Sequence, residues 1–153
     1  VQVLNASTAL RSGKPAPDTP AGSTAQDTMP RGMLVLPEDG RGHFIAEPLV
    51  NGTRLRMLVD TGASFVALSA EDAGRAGVFP NAADFRLSIS TANGTIQAAP
   101  VKLREIRVGS IVLRDVEAAV LPAGRLKESL LGMSFLRRLS SFQIADGSLV
   151  LKQ

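Results

Sequence analysis

From Met33 onward, short apolar runs alternate with turn-forming residues along the rest of the chain. Runs of this length, bounded by Asn-Gly, Asp-Gly or Gly-Ser pairs, are typical of β-strands that tight turns connect. Many short strands at regular spacing indicate a barrel or a sandwich. The pattern therefore predicts an all-β fold with little helix.

Three dipeptides mark the turns of the predicted hairpins: Asn51-Gly52, Asn93-Gly94 and Asp146-Gly147. Asparagine, aspartate and glycine tolerate the positive φ angles that such turns require. We expect strands over 33–36, 43–50, 53–60, 65–68, 86–91, 95–108, 111–121, 142–145 and 149–151.

Two short helices are also predicted. Ser69 offers an N-cap before two acidic residues, and Gly77 offers a C-cap, which together indicate a helix over 70–76. A second short helix is expected over 133–139.

The segment 58–64, Leu-Val-Asp-Thr-Gly-Ala-Ser, is the strongest candidate for a reactive site. Asp60 would supply a carboxylate, and Gly62 permits close approach of the backbone. The Thr61 hydroxyl is placed to hydrogen-bond across to a second copy of the loop. Ser64 can hydrogen-bond the outer oxygen of Asp60, and Ala63 completes the loop. The alternative is an ordinary turn, because Asp-x-Gly is a common turn sequence.

The Asp-Thr-Gly tripeptide occurs once in 153 residues. A water molecule held between two carboxylates needs two such loops, so a single copy predicts that two chains meet. Two carboxylates in contact share one proton, which lets one act as general base and the other as general acid. This chemistry predicts a pH optimum on the acid side.

Composition excludes several other kinds of site. The chain has no Cys and one His, which excludes a thiol nucleophile, disulfides and Cys-ligated metal. We expect no metal and no cofactor, and we expect His43 to be structural or exposed. A net charge of +3 without Tyr or Trp gives no support for a nucleic-acid partner.

Residues 1–31 differ in composition from the rest of the chain. They are rich in Pro, Ser, Thr and Ala, which predicts a flexible linker. The alternative is a propeptide-like segment that rests in a cleft. We expect the folded domain to span residues 32–153, and a membrane tether N-terminal to this chain is compatible with such a linker.

Two further segments bear on a site. The hairpin tip Ala92, Asn93, Gly94, Thr95 and Ile96 could form a flap over a bound peptide, or it could be a plain surface turn. The apolar pair Leu130 and Leu131 with Gly132 could support the Asp60 loop from behind, or it could be a buried strand ending at a helix.

The order of these motifs resembles that of the retropepsin-like aspartic proteases, in particular the bacterial single-domain members of clan AA. The specific pieces are Asp-Thr-Gly-Ala-Ser at 60–64 and Leu-Leu-Gly-Met-Ser-Phe-Leu at 130–136. The similarity covers about residues 33–152. Met133 departs from the arginine that viral enzymes often carry after this glycine, and the predicted flap holds one glycine where viral flaps hold several.

The resemblance implies a closed acid-protease β barrel with one or two short helices. It also implies a homodimer with one Asp60 per chain, which hydrolyses peptide bonds in protein or peptide substrates. Many members are exported, so the resemblance implies a periplasmic or membrane-anchored location facing the periplasm. The rival hypothesis is a non-catalytic peptide- or protein-binding module on the same barrel.

Overall fold

The computed structural model describes residues 30–92 and 94–153. Within them the chain is mostly β-structure, with two short α-helices and one 3-10 turn, which confirms the predicted fold class. The strands are β1 Met33–Pro37, β2 Ile45–Ala46, β3 Leu49–Val50, β4 Thr53–Arg54, β5 Met57–Val59, β6 Val66–Leu68, β7 Leu87–Thr91, β8 Gly94–Val108, β9 Ile111–Val120, β10 Ser129–Leu131, β11 Ser141–Ala145 and β12 Ser148–Lys152. The helices are α1 Ala70–Arg75 and α2 Met133–Leu136, and the 3-10 turn is Ala82–Asp84.

The strands form two sheets. The larger has the order β2-β5-β10-β6-β9-β8-β3-β4, with β7 paired to β8, and it curls into a half-barrel. The smaller has the order β1-β12-β11 and joins the first and last strands of the domain. Residues 1–29 lie outside the described residues, so the linker over 1–31 stays a prediction.

The centre of the larger sheet mixes strand directions. β10 runs parallel to β5 on one side and antiparallel to β6 on the other, and β6 runs parallel to β9. Because β5 and β10 are parallel neighbours, the residues that follow them emerge at the same edge of the sheet. These residues are Asp60 and Gly132.

β8 is the longest strand and belongs to two hairpins. Its first part pairs with β7, from Thr91↔Gly94 to Leu87↔Ala98, and the rest pairs with β9. The predicted hairpin with a long second arm is therefore confirmed. Asn93, one of its two predicted turn residues, lies outside the described residues.

The hairpin predicted over 43–60 is formed, but its arms are interrupted. The turn at Asn51 and Gly52 has positive φ at both residues, as predicted. Each arm is divided into two short strands, which pair as β3 with β4 and β2 with β5. Pro48 lies at the break, and a proline has no backbone N–H to donate to a ladder.

Helix α1 follows its predicted limits closely, whereas α2 is shorter than predicted. Ser69 Oγ accepts a hydrogen bond from Asp72 N at 3.1 Å and caps α1. The prediction of a helix over 133–139 was wrong at its C-terminal end, because α2 stops at Leu136. Ser140 N already donates to Lys152 O at 2.8 Å, so the chain has turned towards the smaller sheet by then.

Two groups of buried apolar side chains support these sheets. The larger group is mainly aliphatic and lies between the two sheets and the helices, with Phe135 and Leu136 fully buried. The smaller group contains Ala67, Ile96, Ala98, Ala119 and Leu121 and joins β6, β8 and β9. In the described part of the chain, no helix is long and apolar enough to cross a membrane.

Candidate active site

The loop that follows β5 holds Asp60 by its own backbone. Asp60 N donates to Leu131 O at 3.1 Å, and Ala63 N donates to Asp60 O at 3.2 Å. Gly62 N donates to Asp60 Oδ1 at 2.9 Å. The half-buried carboxylate is therefore oriented by a backbone amide two residues further on.

β10 pairs with β5, the strand that leads into this loop. Leu130 pairs with Leu58 and Leu131 pairs with Val59 in parallel register. After β10 ends, Met133 N donates to Ala63 O at 2.8 Å. The loop is thus bonded to the supporting segment at both of its ends.

Gly132 has to be a glycine at this contact. It is buried, and a Cβ built on it would lie 2.7 Å from Ala63 O and still closer to Phe65 O. Real Cβ atoms almost never approach oxygen so closely, so any larger residue would push α2 away from the loop.

A cleft of about 650 Å³ opens beside Asp60. Its walls are mainly apolar, with three hydroxyl side chains from β7 and two charged residues, Asp60 and Arg125. The lining residues are Asp60, Gly62, Ala63, Ser64, Phe65, Ala67, Ser88, Ile89, Ser90, Thr91, Ala92, Ile96, Ala119, Leu121, Arg125, Leu126 and Leu130. A cavity of this size and character suits several consecutive side chains of a peptide.

The family model for the gag-polyprotein putative aspartyl protease matches residues 46–138, which include the Asp60 loop and its supporting segment. The chain belongs to this family. The resemblance to retropepsin-like aspartic proteases is thereby confirmed.

Two bacterial relatives extend the family match. An uncharacterized protein from the cobV 5′ region of Sinorhizobium sp is 45% identical over 119 residues, covering 78% of this chain and 51% of that protein. An uncharacterized protein of Rickettsia prowazekii strain Madrid E is 37% identical over 120 residues, with the same two shares. The chain therefore spans about half the length of the curated relatives it matches.

Two solved structures share the fold. The crystal structure of a retropepsin-like aspartic protease from Rickettsia conorii matches with a TM-score of 0.70 and 34% identity, over 78% of this chain and 89% of that one. The EIAV protease complexed with the inhibitor HBY-793 matches with a TM-score of 0.57 and 18% identity, over 70% and 97%. At that identity the second match concerns the fold alone.

The retropepsin-like fold gathers most of the predicted site residues at one cleft. Asp60, Gly62, Ala63 and Ser64 line it together with Ala92, Ile96 and Leu130. Asn93 lies outside the described residues. The other predicted residues are not in the lining: Leu131 and Gly132 are buried behind the loop, and Thr61, Gly94 and Thr95 are exposed.

The hydroxyls of Thr61 and Ser64 make no hydrogen bond within residues 30–92 and 94–153. The bond that the sequence suggested between Ser64 and Asp60 is therefore not formed in the single chain, where Gly62 N is the donor to the carboxylate. Both side chains are exposed on the Asp60 loop, so they are accessible to another molecule.

The hairpin predicted to be a flap lies against the cleft. Thr91 Oγ1 donates to Gly94 O at 2.7 Å and closes the turn. Ile96 is 8% exposed and belongs to the smaller apolar group, which also contacts Ile89 and Leu126. The hairpin is therefore anchored by its own side chains, while its role as a flap stays a prediction.

Sequence reasoning missed a second anchor of the loop, Ser134. Its buried hydroxyl accepts from Val66 N at 2.8 Å and donates to Glu117 O at 2.6 Å. It thereby ties α2 to β6 and β9. The sequence feature that could have indicated this role is a single polar residue among apolar ones in Gly-Met-Ser-Phe-Leu. A serine in such a setting is expected to be buried, with its hydroxyl hydrogen-bonded.

His43 lies outside the cleft lining, and its side chain is half exposed. Its backbone N–H and that of Arg41 both donate to Asp39 Oδ1. These hydrogen bonds, that of Arg41 foremost, hold the pKa of Asp39 below its usual value. Across the described residues, no cluster of three or more His, Asp or Glu side chains could hold a metal ion.

Proposed function

We propose that this domain is one half of a dimeric aspartic endopeptidase. The observation that supports the proposal most strongly is a single carboxylate, fixed by the backbone of its loop, at the wall of an apolar cleft. An active pair would consist of Asp60 from each of two protomers.

In this proposal the unprotonated carboxylate takes a proton from the bound water, whose oxygen bonds to the carbonyl carbon of the peptide. The protonated carboxylate donates its proton to the carbonyl oxygen. When the C–N bond of the tetrahedral intermediate breaks, the leaving nitrogen receives a proton from the pair, and one hydroxyl of the gem-diol returns its proton to the pair as that oxygen becomes the carbonyl oxygen of the new carboxylic acid. The cycle consumes one water molecule and returns both carboxylates to one shared proton.

The substrate would bind as an extended strand along the cleft. The polar residues of β7 offer backbone and hydroxyl partners, and Ala63, Leu130 and Ile96 offer apolar contacts for alternate side chains. The half-barrel contributes one wall of this site, and the second protomer would contribute the other.

The decisive experiment compares the wild type with Asp60→Asn on an unfolded protein substrate between about pH 4 and pH 8. We expect cleavage by the wild type with an acid-side optimum, and none by the variant, because an amide cannot accept the proton of the water. Asp115→Asn is a matched control. Asp115 is exposed outside the cleft at φ 54, a conformation that Asn also adopts.

Equal cleavage by wild type and Asp60→Asn would refute the carboxylate mechanism. If neither protein cleaves although both are folded dimers, the rival binding module is favoured. A location on the periplasmic side of a membrane is also part of the proposal, supported by the resemblance, and fractionation of the full-length protein in its host would test it.

A further inference from the structure

Arg125 is the positively charged residue of the cleft wall. Among the lining residues only Asp60 and Arg125 are charged, and the others are apolar or carry hydroxyl groups. A guanidinium stays protonated at every pH between about 4 and 8. The wall of the cleft therefore presents one fixed positive charge to whatever binds there.

This charge is not neutralised within the domain. In the part of the chain that the structure describes, the ion pairs do not include Arg125, so it is not paired with Asp60 either. The acidic residue that follows it in the chain, Glu128, pairs with Arg56 instead. The exposed guanidinium, with its five N–H donors, is therefore available to a ligand.

The loop that carries Arg125 is held on both sides of this residue. The loop spans residues 121–128 and connects β9 to β10. Arg125 N donates to Pro122 O at 3.1 Å and closes a turn in which Gly124 has a φ of 80°. Leu126 packs against the smaller apolar group, and Glu128 is held by its ion pair. The backbone of Arg125 is thus fixed at the cleft by contacts before and after it.

A peptide bound at Asp60 would pass along this loop. The loop leads into β10, whose Leu130 lines the cleft together with Asp60 and Arg125. In an extended peptide, alternate side chains point to the same side, so one of them would face the guanidinium. A lysine or arginine there would meet a like charge. A glutamate or aspartate could accept two parallel hydrogen bonds from the guanidinium.

We propose that Arg125 is a specificity-determining residue, which selects peptides with a Glu or Asp side chain at the position beside the 121–128 loop. The inference rests on the proposed function and deepens it, because it names an anionic peptide as the preferred substrate. Apolar side chains would fill the rest of the cleft, whose other lining residues are uncharged apart from Asp60.

The first experiment maps cleavage sites in a library of peptides made by digesting a bacterial cell extract with trypsin. Mass spectrometry identifies the residues around each new end. We expect Glu and Asp to be enriched at a fixed position relative to the cut, and Arg125→Gln to lose this enrichment. No acidic position in the wild type, or one that persists in Arg125→Gln, would overturn the proposal.

Lys127→Gln is the matched control. Lys127 is an exposed cation on the same loop but does not line the cleft. This variant has the same loss of charge as Arg125→Gln, and the acidic enrichment should persist in it. Equal loss in both variants would mean that the net charge of the loop, and not contact with Arg125, sets the preference.

The second experiment measures kcat/KM for two peptides that differ only by Glu or Gln at the mapped position. The wild type should prefer the Glu peptide roughly threefold to tenfold near neutral pH. The preference should shrink as the pH falls towards about 4, where the glutamate side chain becomes protonated. Arg125→Glu should reverse the preference in favour of a Lys peptide, which a merely structural role of Arg125 would not produce.

A binding measurement separates this proposal from the proposed function. Asp60→Asn chains are mixed with a labelled short peptide of alternating Leu and Glu, or of alternating Leu and Gln, and fluorescence anisotropy gives the two affinities. Tighter binding of the Glu peptide that depends on Arg125 would sustain the inference even if the wild type cleaves nothing. Equal cleavage of Glu and Gln peptides by the wild type would refute the inference and leave the protease standing.

Discussion

Individual residues determine how rigidly the Asp60 loop is held, and Gly132 is the most constrained of them. A methyl group at this position would meet the carbonyl oxygens of Ala63 and Phe65. We expect Gly132→Ala to lower the free energy of unfolding by about 1–3 kcal/mol, because the backbone must shift to relieve the overlap. Urea denaturation measures the change.

Gly74→Ala is the control for this effect. Gly74 lies within α1, and a Cβ there would meet Phe79 at an ordinary 3.5 Å. Alanine is the better helix former, so this substitution should be neutral or stabilising. A Gly132→Ala variant as stable as the wild type would show that the Asp60 loop shifts to accommodate the methyl group at little cost in free energy.

The roles of single residues could be predicted where a local motif carries them. Asp60 follows an apolar strand and precedes Thr-Gly, and Leu130 belongs to a recognisable apolar pair, so both could be assigned to the site from the sequence. Arg125 could not, because it lies between β9 and β10, far along the chain from Asp60, and only the folded chain brings both residues to the wall of one cleft. Nothing in its neighbouring residues indicates that placement.

At the scale of elements, the Ser134 hydroxyl on α2 joins two strands, because it forms hydrogen bonds to both β6 and β9. Removing this hydroxyl leaves the buried Val66 N without an acceptor. We expect Ser134→Ala to cost about 1–3 kcal/mol of unfolding free energy, since a buried amide without a partner is not compensated by water. Thermal or urea unfolding would detect the loss.

Ser110→Ala provides the comparison. Ser110 Oγ also accepts a backbone hydrogen bond, from Gly32 N at 2.7 Å, but the site is exposed and water can replace the hydroxyl. This variant should change stability far less. Equal losses for both variants would mean that burial does not determine the contribution of Ser134.

Elements defined by turns were the easiest to predict, and elements defined by distant contacts the hardest. The hairpins around Asn51-Gly52 and Asp146-Gly147 appear where the turn residues indicated. The division of the 43–60 hairpin and the early end of α2 were missed. Both features depend on which strand the following residues pair with. The local sequence does not indicate that pairing.

At the scale of the whole molecule, the proposal requires that activity depends on pairs of chains. Adding inactive Asp60→Asn chains to an equal amount of wild type should reduce cleavage to about half, because random exchange converts half of the wild-type chains into mixed dimers. Cleavage rates before and after subunit exchange measure this directly.

Asp115→Asn chains are the control for exchange. Because they keep Asp60, their mixed dimers with the wild type should stay active, and cleavage should not fall. Equal inhibition by Asp115→Asn and Asp60→Asn would mean that the added protein, and not the missing carboxylate, slows the reaction. No inhibition by Asp60→Asn would contradict an active site shared between chains.

The pairing of β1 with β12 has a consequence for the way this domain fits into a longer polypeptide. Because Met33 lies opposite Lys152, the first and last strands stand side by side. In a folding unit of this kind, the two ends of the chain are close together. Such a unit can be inserted into a loop of another protein without separating the two ends of that loop. Recombination can therefore transfer the domain intact from one protein architecture to another.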